Sequence, residues 1–213
     1  MNLKTIFACA AVAFVCANAQ VTEQELLANP ALTASGYSVY PEPDKSVKLT
    51  KAPAGYKPFY ISHYGRHGSR YHYTGDDYRY LYETLLKADS ANALTQVGKK
   101  ALVSLGVLND NASPRIGDLT QVGVRQHQGI ARRMYKNFPE VFGSKTVKGK
   151  KVAPSVDTYA STSGRCLVSM AAFTGEMRTM NPDVNFRYES GKSLMKFICP
   201  FNWNDIEYSK ASA

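Results

Sequence analysis

The sequence predicts an α/β domain in which a helical excursion separates the first strand from the next. Three observations lead to this class: an aromatic and β-branched run at 58–62, helical patterns over about 74–140, and a strand-like run at 155–162 that leads into another helix. Strands that alternate with helices are typical of a sheet covered by helices. We assign this domain to residues 53–213.

The first nineteen residues form the pattern of a secretory signal peptide. Lys4 precedes an apolar run from Ile6 to Val15, and Ala17-Asn18-Ala19 is a small-x-small cleavage signal. The run is too short to span a bilayer. We therefore expect export to the periplasm or the medium, with no stable membrane span after cleavage. A buried N-terminal helix is the alternative, and lipoprotein anchoring is disfavoured.

Residues 20–52 predict an irregular lead-in rather than a domain. Pro30, Gly36, Pro41 and Pro43 interrupt this stretch, and apolar residues show little periodicity in it. The first strand, Pro58–Ser62, follows this segment.

Helices are predicted by apolar residues at spacings of three and four. The first helix has Thr74 or Asp76 as its cap, a second helix follows Thr95, and a third is capped near Thr120 and continues through His127. A last helix follows the strand at 155–162, with one apolar face formed by Cys166, Met170, Phe173, Met177 and Met180.

The formal charge of +9 suits an anionic partner. The only dense cationic run, Lys145–Lys151, contains a glycine and is interpreted as a solvated loop, so nucleic acid is disfavoured as the partner. Cys166 and Cys199 lie outside the signal peptide, and the sequence leaves open whether they pair. The oligomeric state is likewise left open.

The stretch "FYISHYGRHGSRYHY" holds three of the four histidines of the chain, with Arg66 and Arg70 on either side of His67. Crowded cationic groups repel one another unless an anion lies among them. Arg165 stands at the start of a predicted helix, where free N–H groups also favour anions. Both arginine clusters follow a predicted strand, so we expect them to meet at one phosphate site.

A metal site is the alternative for the histidines of this stretch. His63, His67 and His72 supply suitable ligands, but the neighbouring arginines repel a cation and no HExxH pattern occurs. We therefore expect neither a metal nor another cofactor.

The motif "YGRHGSR" resembles the signature of the histidine acid phosphatases. "STSGRCLVSMAAF" is similar to a later segment of that family, and "LTQVGVRQHQGIARRMY" to the helix between them. Within the family, "GYKPFYISHYGRHGSRY" most resembles bacterial relatives of the multiple inositol polyphosphate phosphatases. The resemblance covers about residues 50–200 and implies a phosphoglycerate-mutase-like central sheet flanked by helices, with the helical insertion after the first strand.

The resemblance also implies roles for individual residues. His67 matches the nucleophile that becomes a phosphohistidine, and Arg66, Arg70 and Arg165 match the arginines that hold the phosphate. Gly68 matches a glycine that lets the backbone approach the histidine. The implied partner is an anionic phosphorylated small molecule, with inositol polyphosphates as the favoured substrates. Three guanidiniums should also lower the pKa of His67.

The sequence departs from the family pattern in two places. His72 stands where phytase-type signatures have proline, and it is a further candidate for touching the substrate. The second departure is the proton donor, which the family supplies late in the chain from a histidine followed by aspartate or by alanine and glutamate. That motif is absent, because His127 is followed by Gln128 and Gly129 and therefore by no acidic residue. We therefore expect the N-terminal part of a longer phosphatase domain with poor turnover, or a relative that binds phosphoesters without hydrolysing them.

Overall fold

The computed structural model describes residues 22–34, 40, 43 and 49–199 of the chain. The chain divides into two units, Met1–Val39 and Tyr40–Ala213. The predicted signal peptide, residues 1–19, lies outside the described residues. No helix within the described residues is long and apolar enough to cross a membrane.

The first unit contains a short helix, α1 (Glu23–Ala28), in the stretch predicted to be irregular. The backbone N–H of Glu25 donates to the hydroxyl oxygen of Thr22 at 3.2 Å, and the N–H of Thr22 donates to the Glu25 carboxylate at 2.7 Å. This reciprocal pair satisfies two free N–H groups at the helix start. A 3-10 turn at Pro30–Thr33 follows. Local capping thus forms a helix here without an apolar periodicity to signal it.

The second unit is mainly helical. Its helices in the described part are α2 (Asp76–Ser90), α3 (Gln96–Ala112), α4 (Gln121–Asn137), α5 (Pro139–Phe142), α6 (Gly164–Met180) and α7 (Met195–Ile198). As predicted, Thr120 caps α4 by accepting from the N–H of Gly123 at 3.2 Å. The prediction for the cap of α2 was wrong, because Gly75 occupies that position and neither Thr74 nor Asp76 caps the helix with its side chain.

A β-hairpin replaces the loop predicted for the lysine run. Strand β1 (Lys145–Val147) pairs antiparallel with β2 (Lys150–Val152), and both are exposed. The two turn residues, Lys148 and Gly149, have φ values of 49° and 76°. Positive φ at both positions is typical of a two-residue turn whose twist matches that of the strands. The prediction of solvent exposure was therefore correct, whereas the prediction of a loop was wrong.

A parallel pair of strands joined by a helix forms the second sheet. Strand β3 (Ser155–Tyr159) pairs with β4 (Asn185–Glu189), and α6 makes the crossover between them. The predicted strand at 155–162 is thus present, although it ends at Tyr159. The sequence analysis missed β4. Two antiparallel strands and two parallel strands with helices confirm the mixed α/β class.

The hydrophobic core lies where α4 and α6 pack on the second sheet. Met177 of α6 and Ala131 of α4 are fully buried, together with Phe142, Val184 and Phe186 at their flanks. Met134, Tyr135, Phe173 and Met180 pack against this cluster. The apolar faces predicted for α4 and α6 therefore pack against each other. This packing fixes the N-terminal ends of both helices and so the positions of the loops that precede them.

The first predicted strand, Pro58–Ser62, is not a strand in the structure. Its aromatic side chains point to solvent, with Phe59 85% and Tyr60 70% exposed. β-branched and aromatic residues favour strands only where another strand and a packed face receive them. Among the described residues none pairs with this segment, so its composition alone does not make it a strand. Ile61 nevertheless packs against the core.

Both cysteines of the second unit are free thiols. Cys166 lies in the first turn of α6 and Cys199 follows α7, and each is partly buried. The question that the sequence left open is thereby answered, since the structure has no bridge between these two residues.

Candidate functional site

The arginine- and histidine-rich loop lies directly on α4. A Cβ atom added at Gly68 would lie 2.5 Å from the Cα atom of Gly123, and one added at Gly123 would lie 2.4 Å from the carbonyl oxygen of Ser69. The N–H of Gly68 also donates to the hydroxyl of buried Ser169 in α6 at 3.1 Å. Only two facing glycines allow this approach, so Gly68 serves the contact between the loop and the helix.

Side chains at the start of α4 fix the next residues of the loop. Gln126 accepts from the N–H of Ser69 at 2.8 Å and donates to its hydroxyl at 3.0 Å. The N–H and hydroxyl of Thr120 both donate to the carbonyl oxygen of Ser69 at 2.8 Å. Arg70 forms a β-bridge with Leu119. These bonds satisfy the backbone of a loop outside any extended sheet, and they make its shape well defined.

Arg66 is held through its backbone. Its carbonyl oxygen accepts from the ring of His127, with a nitrogen–oxygen distance of 3.2 Å, and from the hydroxyl of Tyr40. The guanidinium of Arg66 lies 5.4 Å from the centre of the Tyr40 ring. His127 is 7% exposed, and burial lowers its pKa below the ordinary value of 6.5. His127 is thus a packed histidine, as predicted, and its ring binds the backbone of the loop at Arg66.

The Nδ1 atom of His67 contacts a backbone carbonyl oxygen, whereas Nε2 does not within the described part of the chain. Nδ1 lies 2.7 Å from the carbonyl oxygen of Gly68. A carbonyl oxygen only accepts hydrogen bonds, so Nδ1 carries the proton of the neutral ring. The lone pair of the neutral ring then lies on Nε2. This tautomer is the one that a nucleophilic Nε2 requires.

The pKa of His67 lies below its ordinary value of 6.5. Burial is the largest cause, the hydrogen bond to Gly68 opposes it, and the charges of Arg165, Arg70 and Arg66 lower the pKa further. The predicted direction agrees with the structure, although the prediction named the arginines as the main cause. The structure thus brings all three predicted arginines close enough to act on one imidazole.

Arg70 and Arg165 converge on the ring of Tyr73. The guanidinium carbon of Arg70 lies 3.3 Å from the ring centre, and that of Arg165 lies 5.8 Å from it. The Nε atoms of both arginines are buried and have no hydrogen-bond partner among the described residues. Arg165 also lies near the 115–118 turn, where a Cβ atom at Gly117 would be 3.8 Å from its Nη1. Buried donors without acceptors suit an anion.

His72 is tied to the start of α2. Its ring contacts the carboxylate of Asp77, and its backbone N–H donates to the hydroxyl of Tyr78 at 2.8 Å. The N–H of Gly117 donates to the His72 carbonyl oxygen at 2.8 Å. These contacts anchor the C-terminal end of the loop. The side chain of His72 is 30% exposed.

His63 faces a cavity of about 380 Å³ between the loop, β3 and α6. Its ring stacks on Phe173 with a centroid distance of 6.1 Å, and burial lowers its pKa. The described lining includes Arg66 and His67 but neither Arg70 nor Arg165. His63 and His72 thus have different neighbours, and in the described part of the chain no three histidine, cysteine or carboxylate side chains group as metal ligands would.

Sequence reasoning missed the residues that shape the site without carrying charge. Gly123, Gln126 and Ser169 hold the loop, and Tyr73 lies across two of the arginines. Gln126 and Ser169 are polar residues in the second turns of α4 and α6, whereas Gly123 gave no signal. Tyr73 gave none, because aromatic residues are frequent throughout this segment.

The charges that act on His67 all come from arginines in the part of the chain that the structure describes. No carboxylate there contributes to its pKa shift.

Comparison with protein-family models finds no match for this chain, and comparison with curated proteins finds none either. The resemblance of the motifs to the histidine acid phosphatases therefore stays a prediction, and the function is argued from the site.

Proposed function

We propose that this protein acts on phosphate monoesters through a phosphohistidine at His67. The observation that carries the proposal is an imidazole bound through Nδ1 to the Gly68 carbonyl oxygen, close to three arginines from two separate segments that lower its pKa. Guanidiniums bind phosphate oxygens in pairs and stabilise charge that develops in the transition state. A histidine with a lowered pKa keeps its lone pair in mild acid.

The reaction consists of two displacements at phosphorus. Nε2 of His67 attacks the phosphorus atom, a nitrogen–phosphorus bond forms, and the bond to the leaving oxygen breaks. That oxygen leaves as an alkoxide, or as an alcohol where a donor supplies a proton. Water then attacks the phosphohistidine, and inorganic phosphate and neutral His67 are released. Covalent capture divides one difficult hydrolysis into two easier steps.

Inositol polyphosphates are the substrate class that we favour. The chain has a formal charge of +9, which attracts polyanions, and the loop motif resembles that of enzymes for such substrates. We also infer that β3 and β4 belong to a larger, phosphoglycerate-mutase-like sheet. Export to the periplasm or the medium completes the proposal, and sequencing of the mature protein should then start at Gln20.

Binding without turnover is the second candidate function. It is favoured because the side-chain charges that shift the pKa of His67 are those of three arginines, which are not proton donors, and a typical general acid contributes about 10²–10⁴ in rate. An aryl phosphate needs little protonation of its leaving group, whereas the alcohol of phytate needs much. If His67 forms the phosphohistidine without a general acid, capture of aryl phosphate with slow hydrolysis of phytate is expected, whereas the second candidate forms no phosphohistidine.

Phosphohistidine trapping tests the proposal. The chain is mixed with a labelled aryl phosphate and quenched in alkali, where phosphohistidine is stable, and the label is mapped. We expect it on His67, with loss of label in His67→Ala, retained phosphate binding by that variant, and normal labelling in the control Arg178→Gln, which removes an arginine placed over Phe186. Phosphate binding without any label would support the second candidate, and turnover that survives in His67→Ala would remove His67 as the nucleophile.

A further inference from the structure

The ring of Tyr73 lies close to two of the three guanidiniums of the site. Arg70 lies 3.3 Å from its ring centre, a separation that leaves room only for a guanidinium lying flat on the ring. Arg165, from the first turn of α6, lies 5.8 Å from the same ring. Tyr73 thus contacts cations that belong to distant parts of the sequence.

The ring solves an electrostatic problem of this site. Two guanidiniums near one another repel, and their buried Nε atoms lack protein acceptors among the described residues. The face of an aromatic ring carries negative potential and attracts cations. Tyr73 therefore compensates part of the repulsion without forming a hydrogen bond to either arginine.

Stacking engages a face of the guanidinium and uses none of its hydrogen-bond donors. The ring covers a face of Arg70, while the N–H donors point outward in the guanidinium plane. One donor, Nη1, is bound to the Tyr71 carbonyl oxygen at 2.8 Å, which fixes the rotation of the group. A carboxylate partner would instead occupy the donors that a phosphate needs. An aromatic partner thus fixes the position of a guanidinium without occupying the N–H donors that bind an anion.

We propose that Tyr73 is a positioning residue that aligns Arg70 and Arg165 for a phosphate group. This inference rests on the proposed function, because it assumes that the arginines receive phosphate. Tyr73 is 56% exposed, so its removal would admit water to the guanidiniums and release Arg70 to other rotamers. The aromatic ring is the part that acts, and the hydroxyl is dispensable.

Titration with inorganic phosphate, followed by calorimetry, tests the alignment. Tyr73→Leu should weaken phosphate binding by about 2–5-fold for each guanidinium it releases, the usual strength of an exposed cation–π contact. Tyr73→Phe should bind as the wild type does. Tyr80→Leu removes a tyrosine of α2 that is 70% exposed and should have no effect. Unchanged binding by Tyr73→Leu, or equal loss in Tyr73→Phe, would overturn the inference.

A double-mutant cycle with Arg70→Gln separates alignment from a general loss of structure. If Tyr73 acts through Arg70, Tyr73→Leu should lose most of its effect in the Arg70→Gln background, whereas additive losses would contradict this. The Nε–H resonance of Arg70 gives a reading without phosphate: ring stacking shifts it upfield, and only the Leu variant should abolish the shift. A wild-type chain that binds no phosphate would refute the proposed function, whereas normal wild-type binding with no effect of Tyr73→Leu would refute only the role of Tyr73.

Discussion

The ring of His67 has a different environment at each nitrogen. Nδ1 is occupied by the Gly68 carbonyl oxygen, and the arginines surround the ring with positive charge. Burial and charge both disfavour the imidazolium, whereas the carbonyl favours it. The balance lowers the pKa, which means that the lone pair stays available below neutral pH.

Titration of His67 by NMR should give a pKa below 6.5, the ordinary value for histidine. Arg165→Gln should raise this pKa, because Arg165 has the largest effect on the pKa among the three arginines. Arg178→Gln, which removes an arginine placed over Phe186, is the matched control and should leave the pKa unchanged. A His67 pKa above 6.5 in the wild type would contradict the proposed electrostatics.

At the scale of elements, the site depends on how closely the loop lies on α4. The approach is set by the Gly68–Gly123 contact, and Ser69 is then bound from Thr120 and Gln126. A helix usually loses stability at a glycine. Here the glycine of α4 is retained at a place where a methyl group has no room.

Gly123→Ala should lower the free energy of unfolding by about 1–3 kcal/mol, since its Cβ would meet the backbone oxygen of Ser69 at 2.4 Å. Gly175→Ala is the matched control in α6, because nothing lies within 4 Å of its added Cβ. That change should instead raise stability by about 0.5–1 kcal/mol through helix propensity. Urea denaturation measures both, and equal effects of the two substitutions would disprove the close contact.

At the scale of the whole second unit, three histidines bind protons less readily when folded than when unfolded. Burial is the largest cause of the lowered pKa of His63, His67 and His127. The unfolded chain therefore takes up protons first as the pH falls through 6.5. Proton uptake by the unfolded state lowers the free energy of unfolding.

Stability should thus be fully present above pH 7 and fall as the pH drops through 6.5, until the folded histidines also become protonated. His127→Gln should flatten this dependence, because Gln does not titrate, even if it lowers stability at every pH. Urea denaturation between pH 7.5 and 5 gives the slopes, and Gln128→Ala, a change at the neighbouring position, serves as the control. A wild-type stability that rises on acidification would contradict the burial of these histidines.

Particular residues show how far sequence patterns reach. The start of α4 at Thr120, the apolar faces of α4 and α6, and the strand from Ser155 were predicted, because caps and periodicity are local signals. The strand at Pro58–Ser62 was predicted wrongly, because strand formation depends on a partner. The lysine hairpin was missed, since the run with its glycine was interpreted as a solvated loop.

The sequence by itself determined the mixed α/β class and the candidates for chemistry: a histidine between two arginines, and a third arginine at a helix start. Only the tertiary structure decided that the Gly68 carbonyl sets the tautomer of His67 and that burial, more than charge, lowers its pKa. It also decided that Tyr73 joins Arg70 to Arg165. The reason is physical: residue type and local spacing are written along the chain, whereas burial and the meeting of distant side chains arise only when helices pack.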